Sequence, residues 1–136
     1  MNATLVPHGR AGGGHHWILD LADCRCETLL LGNADSMQGM CITACQESGM
    51  QVVGACFHQF QPEGVTGTVL LAESHLAIHT WPELNYVALD VYVCDYSQNN
   101  AAKGATLVNR LRALMKAETM REHRVPRSSV RVDHAR

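Results

Sequence analysis

The 136-residue chain predicts an α+β fold: a two-layer sandwich whose antiparallel sheet carries two helices on one face and turns its other face to a dimer interface. Three observations lead there. Strand-like segments outnumber helical ones, in the order strand, helix, several strands, helix and a closing strand. In the segment NYVALDVYVCD, residues 85–95, Val87, Leu89, Val91 and Val93 point one way, while Ala88, Asp90, Tyr92 and Cys94 point the other. Two helical stripes cover only one side of such a sheet, and the mixed face left over invites a symmetric partner.

Residues 1–13, with several glycines and a proline, read as a flexible arm ahead of a domain over 14–122. HWILDLA (16–22) forms the first strand. The next segment, GNADSMQGMCITACQESG, carries helix signals. Asp35 or Ser36 serves as N-cap, Met37, Met40, Cys41, Ala44 and Cys45 form the apolar stripe, and Gly49 is the stop. Residues 50–60 are strand-like, Gln61-Pro62-Glu63-Gly64 is a turn, and 65–73 runs back beside them. After the strand 85–95, Asn99 or Asn100 caps a second helix striped by Leu107, Val108, Leu111, Leu114 and Met115. One more strand precedes a solvated tail over 123–136.

A 46% apolar and 18% charged composition is that of a globular chain. The net charge of −2 gives no general attraction to nucleic acid or to an anionic membrane. No apolar run approaches the roughly 20 residues that span a bilayer. The first residues lack a basic flank followed by an apolar segment, so a cytoplasmic location is expected. Six cysteines in that setting are expected to stay reduced, with Cys41 and Cys45, one helical turn apart, as packing residues.

The chemistry concentrates in LAESHLAIHTWPE, residues 71–83, which sets Glu73, Ser74, His75 and His79 inside an apolar run. Isolated strand histidines are more often structural than catalytic. A serine hydrolase is disfavoured because no G-x-S-x-G elbow surrounds Ser74. A metal site from His15, His16, Cys24 and Cys26 matches no established zinc spacing, and no metal is expected.

The longer string GVTGTVLLAESHLAIHTWPE, with FHQF before it and DVYVC after it, resembles the prokaryotic short form of S-adenosylmethionine decarboxylase. The resemblance extends over about residues 14–120 and is densest from Phe57 to Cys94. It implies a self-cleaving, pyruvoyl-dependent carboxy-lyase that makes the aminopropyl donor for spermidine. Ser74 would attack the carbonyl of Glu73, turning the amide into an ester, with the Thr66 hydroxyl assisting. His79 would remove the α-proton of the esterified Ser74. Chain 1–73 would be released, and a pyruvoyl cofactor derived from Ser74 would cap chain 74–136. That carbonyl would form a Schiff base with the substrate amine and act as electron sink. Cys94 matches the proton donor of the decarboxylation, a task suited to a thiol of ordinary pKa near ~8.5. Phe60 matches an aromatic that stacks on adenine, and Glu83 a carboxylate that binds the ribose. The resemblance further implies a homodimer of processed protomers with sites at the interface.

Departures from the family pattern fall around this set. Thr66 stands where serine is usual, PELNY replaces Pro-Glu-Tyr-Gly-Tyr, Asp95 replaces a glycine, and His15-His16 replaces Arg-His. They bear on the pocket rim more than on the self-cleavage machinery. The alternative substrates are arginine or ornithine, for which Phe60 and Glu83 would have no use. A non-enzymatic dimeric or metal-binding module would give no reason for Ser74, His79 and Cys94 to occur together.

Overall fold

The computed structural model describes residues 13–95 and 100–127. Six strands form one antiparallel sheet: β1 (Gly14–Cys24), β2 (Val52–Gln59), β3 (Val65–Leu71), β4 (Ser74–Trp81), β5 (Tyr86–Cys94) and β6 (Ala117–Arg127). Their spatial order is β2-β3-β4-β5-β1-β6. Three helices, α1 (Thr28–Gly32), α2 (Ala34–Glu47) and α3 (Ala101–Met115), pack on the sheet, and a short 3-10 turn spans Pro82–Leu84. The α+β sandwich is the expected one, with α1 as an added short helix.

Strand alternation decides which face is covered. In β5, Val87, Leu89, Val91 and Val93 are all buried, opposite Leu21, Leu19 and Trp17 of β1 and Ile78 and Leu76 of β4. Beneath them lie Met37, Cys41, Ala44 and Cys45 of α2 and Leu107, Val108, Leu111 and Met115 of α3. Cys41 and Cys45 therefore pack as expected, and burial pushes the Cys45 thiol up to about 12 and that of Cys24 up to about 11. The other face presents His16, Ile18 and Asp20, Thr66 and Leu70, His75 and His79, and Ala88, Asp90 and Tyr92. No helix among the described residues is long and apolar enough to cross a membrane.

Several local expectations need correction. The N-cap of α2 is Asn33, whose side chain accepts from the Ser36 amide at 2.9 Å, because the short helix α1 ends there and leaves Asp35 and Ser36 inside the first turn. Leu114 is 41% exposed, since the buried stripe of α3 runs through Leu107, Leu111 and Met115, placing Leu114 at its margin. Asn100 is the N-cap residue of α3, its carbonyl accepting from the Gly104 amide at 2.9 Å, but its side chain makes no capping bond and instead donates to the Cys94 carbonyl at 2.7 Å. Asn99 lies outside the described residues. The closing strand β6 pairs with β1 as far as Arg127, past the start of the expected tail. Residues 128–136 and the arm over 1–12 lie outside the described residues.

Two polar side chains tie the helical layer to the sheet. Buried Thr80 donates to the Leu31 carbonyl at 2.6 Å and accepts from the Val65 amide at 2.9 Å. The Gln59 amide accepts from the first α2 amide, Ala34, and donates to the carbonyls of Gly32 and Gly64. These bonds satisfy groups that burial would otherwise leave without water.

At Gly104 a Cβ would lie 2.5 Å from the Trp17 ring and 3.2 Å from Val93. Gly104→Ala gains up to about 1 kcal/mol of helix propensity but overpacks the α3–sheet contact, at a cost of about 1–3 kcal/mol. We expect a net loss in denaturant unfolding; equal or higher stability would show that α3 can slide off the sheet without penalty.

Candidate active site

The β3–β4 connection is a two-residue turn, Ala72-Glu73, that sets Leu71 opposite Ser74. Glu73 adopts φ +67°, the left-handed region that a side chain with a Cβ rarely occupies. Ser74, the first residue of β4, has a buried Oγ with no hydrogen-bond partner among the described residues, and Glu73 Oε1 is in the same condition. Strand parity gives Ser74 the covered side with Leu76 and Ile78, and His75 and His79 the open side. A recess of about 150 Å³, lined by Met50, Gln51, Ala72, Glu73, Asn100 and Lys103, adjoins the turn. It is too small for a nucleoside, whose pockets run to about 300–1,000 Å³. A larger recess of about 530 Å³ is lined by Thr28, Leu29, Asn33 and Gln59 among others, none of them a predicted site residue.

Cys94 closes β5 at the same end of the sheet. His75 pairs with Tyr92, so one more step places Ser74 opposite Val93 with Cys94 next to it. Cys94 is 1% exposed and pairs with Gly14, where a Cβ would meet the Val93 carbonyl at 2.7 Å and the Tyr92 hydroxyl at 3.0 Å. Glycine there lets the Tyr92 phenol lie close to the backbone beside Cys94. Burial, then the neighbouring Cys94 sulfur, push the phenol above its ordinary value, while Arg127 opposes them. Asp95 anchors the end of the strand: its carboxylate accepts from the Asn100 amide at 2.9 Å and lies 3.3 Å from His15 Nε2. The two departures at His15 and Asp95 thus touch each other.

The remaining predicted residues gather at the opposite end. Thr66 Oγ1 and His79 Nδ1 share a hydrogen bond at 3.1 Å, their strands being in register there. Phe60 is 47% exposed with its ring edge-on to His58 at 4.7 Å. Glu83 is exposed on the 3-10 turn that follows β4. Gly64 joins them, since a Cβ there would lie 3.8 Å from both Phe60 and Pro82. The protomer therefore brings together two groups, Glu73–Ser74–Cys94 and Phe60–Thr66–His79–Glu83. Ser74 and His79 lie five strand residues apart, about 17 Å at ~3.4 Å per residue, which no imidazole spans.

A third cluster was not anticipated. His75 Nε2 and His16 Nε2 both donate to Asp90 Oδ1, at 2.8 and 2.9 Å, linking β4, β5 and β1. Burial raises the Asp90 carboxyl, but hydrogen bonds from the two histidines outweigh it and hold the group below the ordinary carboxylate range. The parity of 75, 90 and 92 places these side chains on one face, but the pairing of β1 with β5 that adds His16 is not visible in a linear pattern. His15 and His16 stand at the start of β1 and Cys24 at its end. Eight residues at ~3.4 Å put His16 and Cys24 about 27 Å apart, so the histidine–cysteine set weighed as a metal site cannot converge.

Comparison with known proteins bears on this geometry. The family model described as S-adenosylmethionine decarboxylase matches residues 15–128. The chain belongs to this family. Relatives include the S-adenosylmethionine decarboxylase proenzymes of Pyrococcus abyssi, 43% identical over 81 residues, and Moorella thermoacetica, 42% identical over 81 residues. Each match covers 60% of this chain, and the chain spans 57% of the Pyrococcus protein and 63% of the Moorella protein. The crystal structure of the adenosylmethionine decarboxylase from Aquifex aeolicus VF5 superposes with a TM-score of 0.80, covering 92% of this chain and 98% of that one at 24% identity. That likeness establishes the S-adenosylmethionine decarboxylase fold for the sheet and its helical layer.

Proposed function

We propose that this chain is the proenzyme of a pyruvoyl-dependent decarboxylase of S-adenosylmethionine, which cuts itself between Glu73 and Ser74 and yields the aminopropyl donor for spermidine synthesis. The observation that carries the reading is the left-handed Glu73 joined to a Ser74 whose hydroxyl is buried without a partner. A non-glycine residue held there costs about 1–3 kcal/mol, and an unsatisfied buried hydroxyl about 1–3 kcal/mol more. Both costs fall on the one peptide unit that self-cleavage would open. The family membership of the chain supports the same reaction class.

In this reading Ser74 Oγ adds to the Glu73 carbonyl carbon, and the Ser74 nitrogen departs as an amine, leaving an ester. His79 then takes the α-proton of Ser74, chain 1–73 leaves with Glu73 as its terminal carboxylate, and water replaces the nitrogen remaining on residue 74, which departs as ammonia to leave the keto group. The Thr66 hydroxyl, bonded to His79 at 3.1 Å, orients that imidazole and offers a donor to the oxyanion. The residues fit a group made from Ser74: its oxygen is buried and without a partner among the described residues, and its place on β4 faces Val93, the neighbour of Cys94 in sequence. A pyruvoyl group supplies an electron sink for an amine-bearing substrate. Cys94 holds the proton that replaces the departing carboxylate. Phe60 offers an exposed ring to a nucleobase and Glu83 a carboxylate to ribose hydroxyls, which favours a nucleoside over arginine or ornithine.

The 17 Å between the two groups is best met by a second copy. A two-fold axis that packs the open faces would set the Phe60–Thr66–His79–Glu83 end of one protomer over the end of its partner's sheet where β4 begins at Ser74 and β5 closes at Cys94. Exposed Ile18, Leu70 and Val125 on that face, 41–50% accessible, favour such a cover. A covered site also keeps bulk water from competing for protons.

Two measurements decide between these readings. With carboxyl-labelled S-adenosylmethionine, arginine and ornithine offered separately, labelled CO₂ is expected from the first alone. Ser74→Ala should release none, and Cys94→Ala should still cleave yet lose on the order of 10²–10⁴ in turnover. Release from arginine or ornithine instead would replace the substrate, and normal turnover by Cys94→Ala would make that thiol a packing residue. Separately, unprocessed Ser74→Ala and His79→Ala chains co-folded together should regain cleavage at the intact Ser74, because the Ser74→Ala partner lends its His79. Cleavage by a wild-type monomer at high dilution would remove the shared site.

A further inference from the structure

We propose that His75 is the base that takes a proton from the ammonium group of the substrate, with Asp90 as the positioning residue that keeps its Nδ1 lone pair available. The inference rests on the pyruvoyl decarboxylase reading and adds to it a residue for handling the substrate amine. A carboxylate can only accept a hydrogen bond, so the contact to Asp90 Oδ1 at 2.8 Å puts a proton on His75 Nε2. In the neutral ring Nδ1 then carries the lone pair, and no hydrogen bond from a described residue reaches it. His75 follows Ser74 directly. Its backbone amide would bear whatever group Ser74 becomes, so the imidazole stays one residue away from the reacting carbon.

The same tautomers leave no seat for a cation at this cluster. His16, His75 and Asp90 offer ligand atoms all within 4.8 Å of one another, which meets the distance requirement for a metal. Yet Arg127 Nη1 lies 3.0 Å from His16 Nδ1, and a guanidinium only donates. His16 therefore also carries its proton on Nε2, so both imidazoles turn hydrogens toward the centre, and a cation would find lone pairs only on Asp90. The arrangement instead matches the carboxylate–imidazole pair of an acid–base site, where the carboxylate fixes the tautomer and stabilises the imidazolium that forms.

An amino group near its ordinary pKa of about 7.7–8.0 is mostly protonated at neutral pH and is not a nucleophile until it loses a proton. That proton passes from the substrate nitrogen to His75 Nδ1. The amine becomes neutral, and the positive charge moves onto a ring backed by Asp90. Around His75 stand Asp90 and Tyr92 from β5, His16 from β1 and apolar Leu70 from β3, with Arg127 of β6 behind His16. The imidazolium thus meets one carboxylate directly, while the guanidinium is held off by His16.

The test has one arm that needs no processed enzyme. In ¹⁵N-histidine NMR spectra of Ser74→Ala protein, His75 is expected with Nε2 protonated and Nδ1 bare, and adding Asp90→Asn should mix its tautomers. A proton on Nδ1, or a tautomer indifferent to Asp90→Asn, overturns the assignment. In the second arm, processed His75→Ala should lose on the order of 10²–10⁴ in kcat/KM and regain part of its rate with added imidazole. His75→Gln, which preserves a donor to Asp90, should fold and show the same loss. If either variant decarboxylates like the wild type, His75 is not the base, although the pyruvoyl reading stands. If the wild type itself releases no CO₂, the pyruvoyl reading falls first and this role with it, whatever the spectra report.

Discussion

Much of this molecule follows from the length of one turn. A two-residue connection between β3 and β4 fixes Leu71 opposite Ser74, and from that pairing Thr66 must meet His79 and Leu70 must meet His75. Side chains along a strand alternate with period two, so a slip of one residue would send both histidines into the apolar layer and Leu76 and Ile78 into water. Burial of those two, together with Val69 and Val91 beside them, holds the register. What the turn demands in return is a residue at positive φ, and the chain places glutamate rather than glycine there. The strain thus falls on the residue directly before the serine.

The same alternation divides the chemistry. One end of the hairpin holds the strained peptide and, across β5, Cys94; the other holds Thr66, His79 and the ring and carboxylate of Phe60 and Glu83. Within one protomer the length of β4 keeps the two ends apart. In the proposed dimer, two copies related by a two-fold axis would bring the two ends together, each completing the other's set. The His16–Asp90–His75 bridge lies between the ends and ties three strands through one carboxylate oxygen. It stiffens the face on which the partner would rest.

The sheet was legible because Val87, Leu89, Val91 and Val93 obey a simple period, and the helical stripe of α3 was legible for the same reason. Local capping was less so. Asn33, Asp35 and Ser36 are all good caps, and only the short helix α1, invisible as a periodic pattern in five residues, makes Asn33 the one used. Leu114 lies nearly in line with Leu107 around the helix but in its last turn, where it is 41% exposed, a difference that a list of apolar residues does not resolve. In the candidate site, Ser74, His79 and Cys94 stood out by resemblance, but their separation depends on residues 74–81 forming one unbroken strand, which holds His79 far from Ser74 within one chain. Asp90 appeared only as one polar residue in an alternating strand, because its partners come from β1 and β4.

The most direct test of the account is the mass of the purified polypeptide under denaturing conditions. The account predicts two chains, 1–73 ending in an ordinary Glu73 carboxylate and 74–136 blocked at its N-terminus by a keto group that hydrazine or borohydride modifies. It predicts further that Glu73→Gly, which removes the left-handed strain while leaving Ser74 in place, slows their appearance. A single uncut chain of 136 residues after prolonged incubation, or cleavage at any other bond, would contradict it.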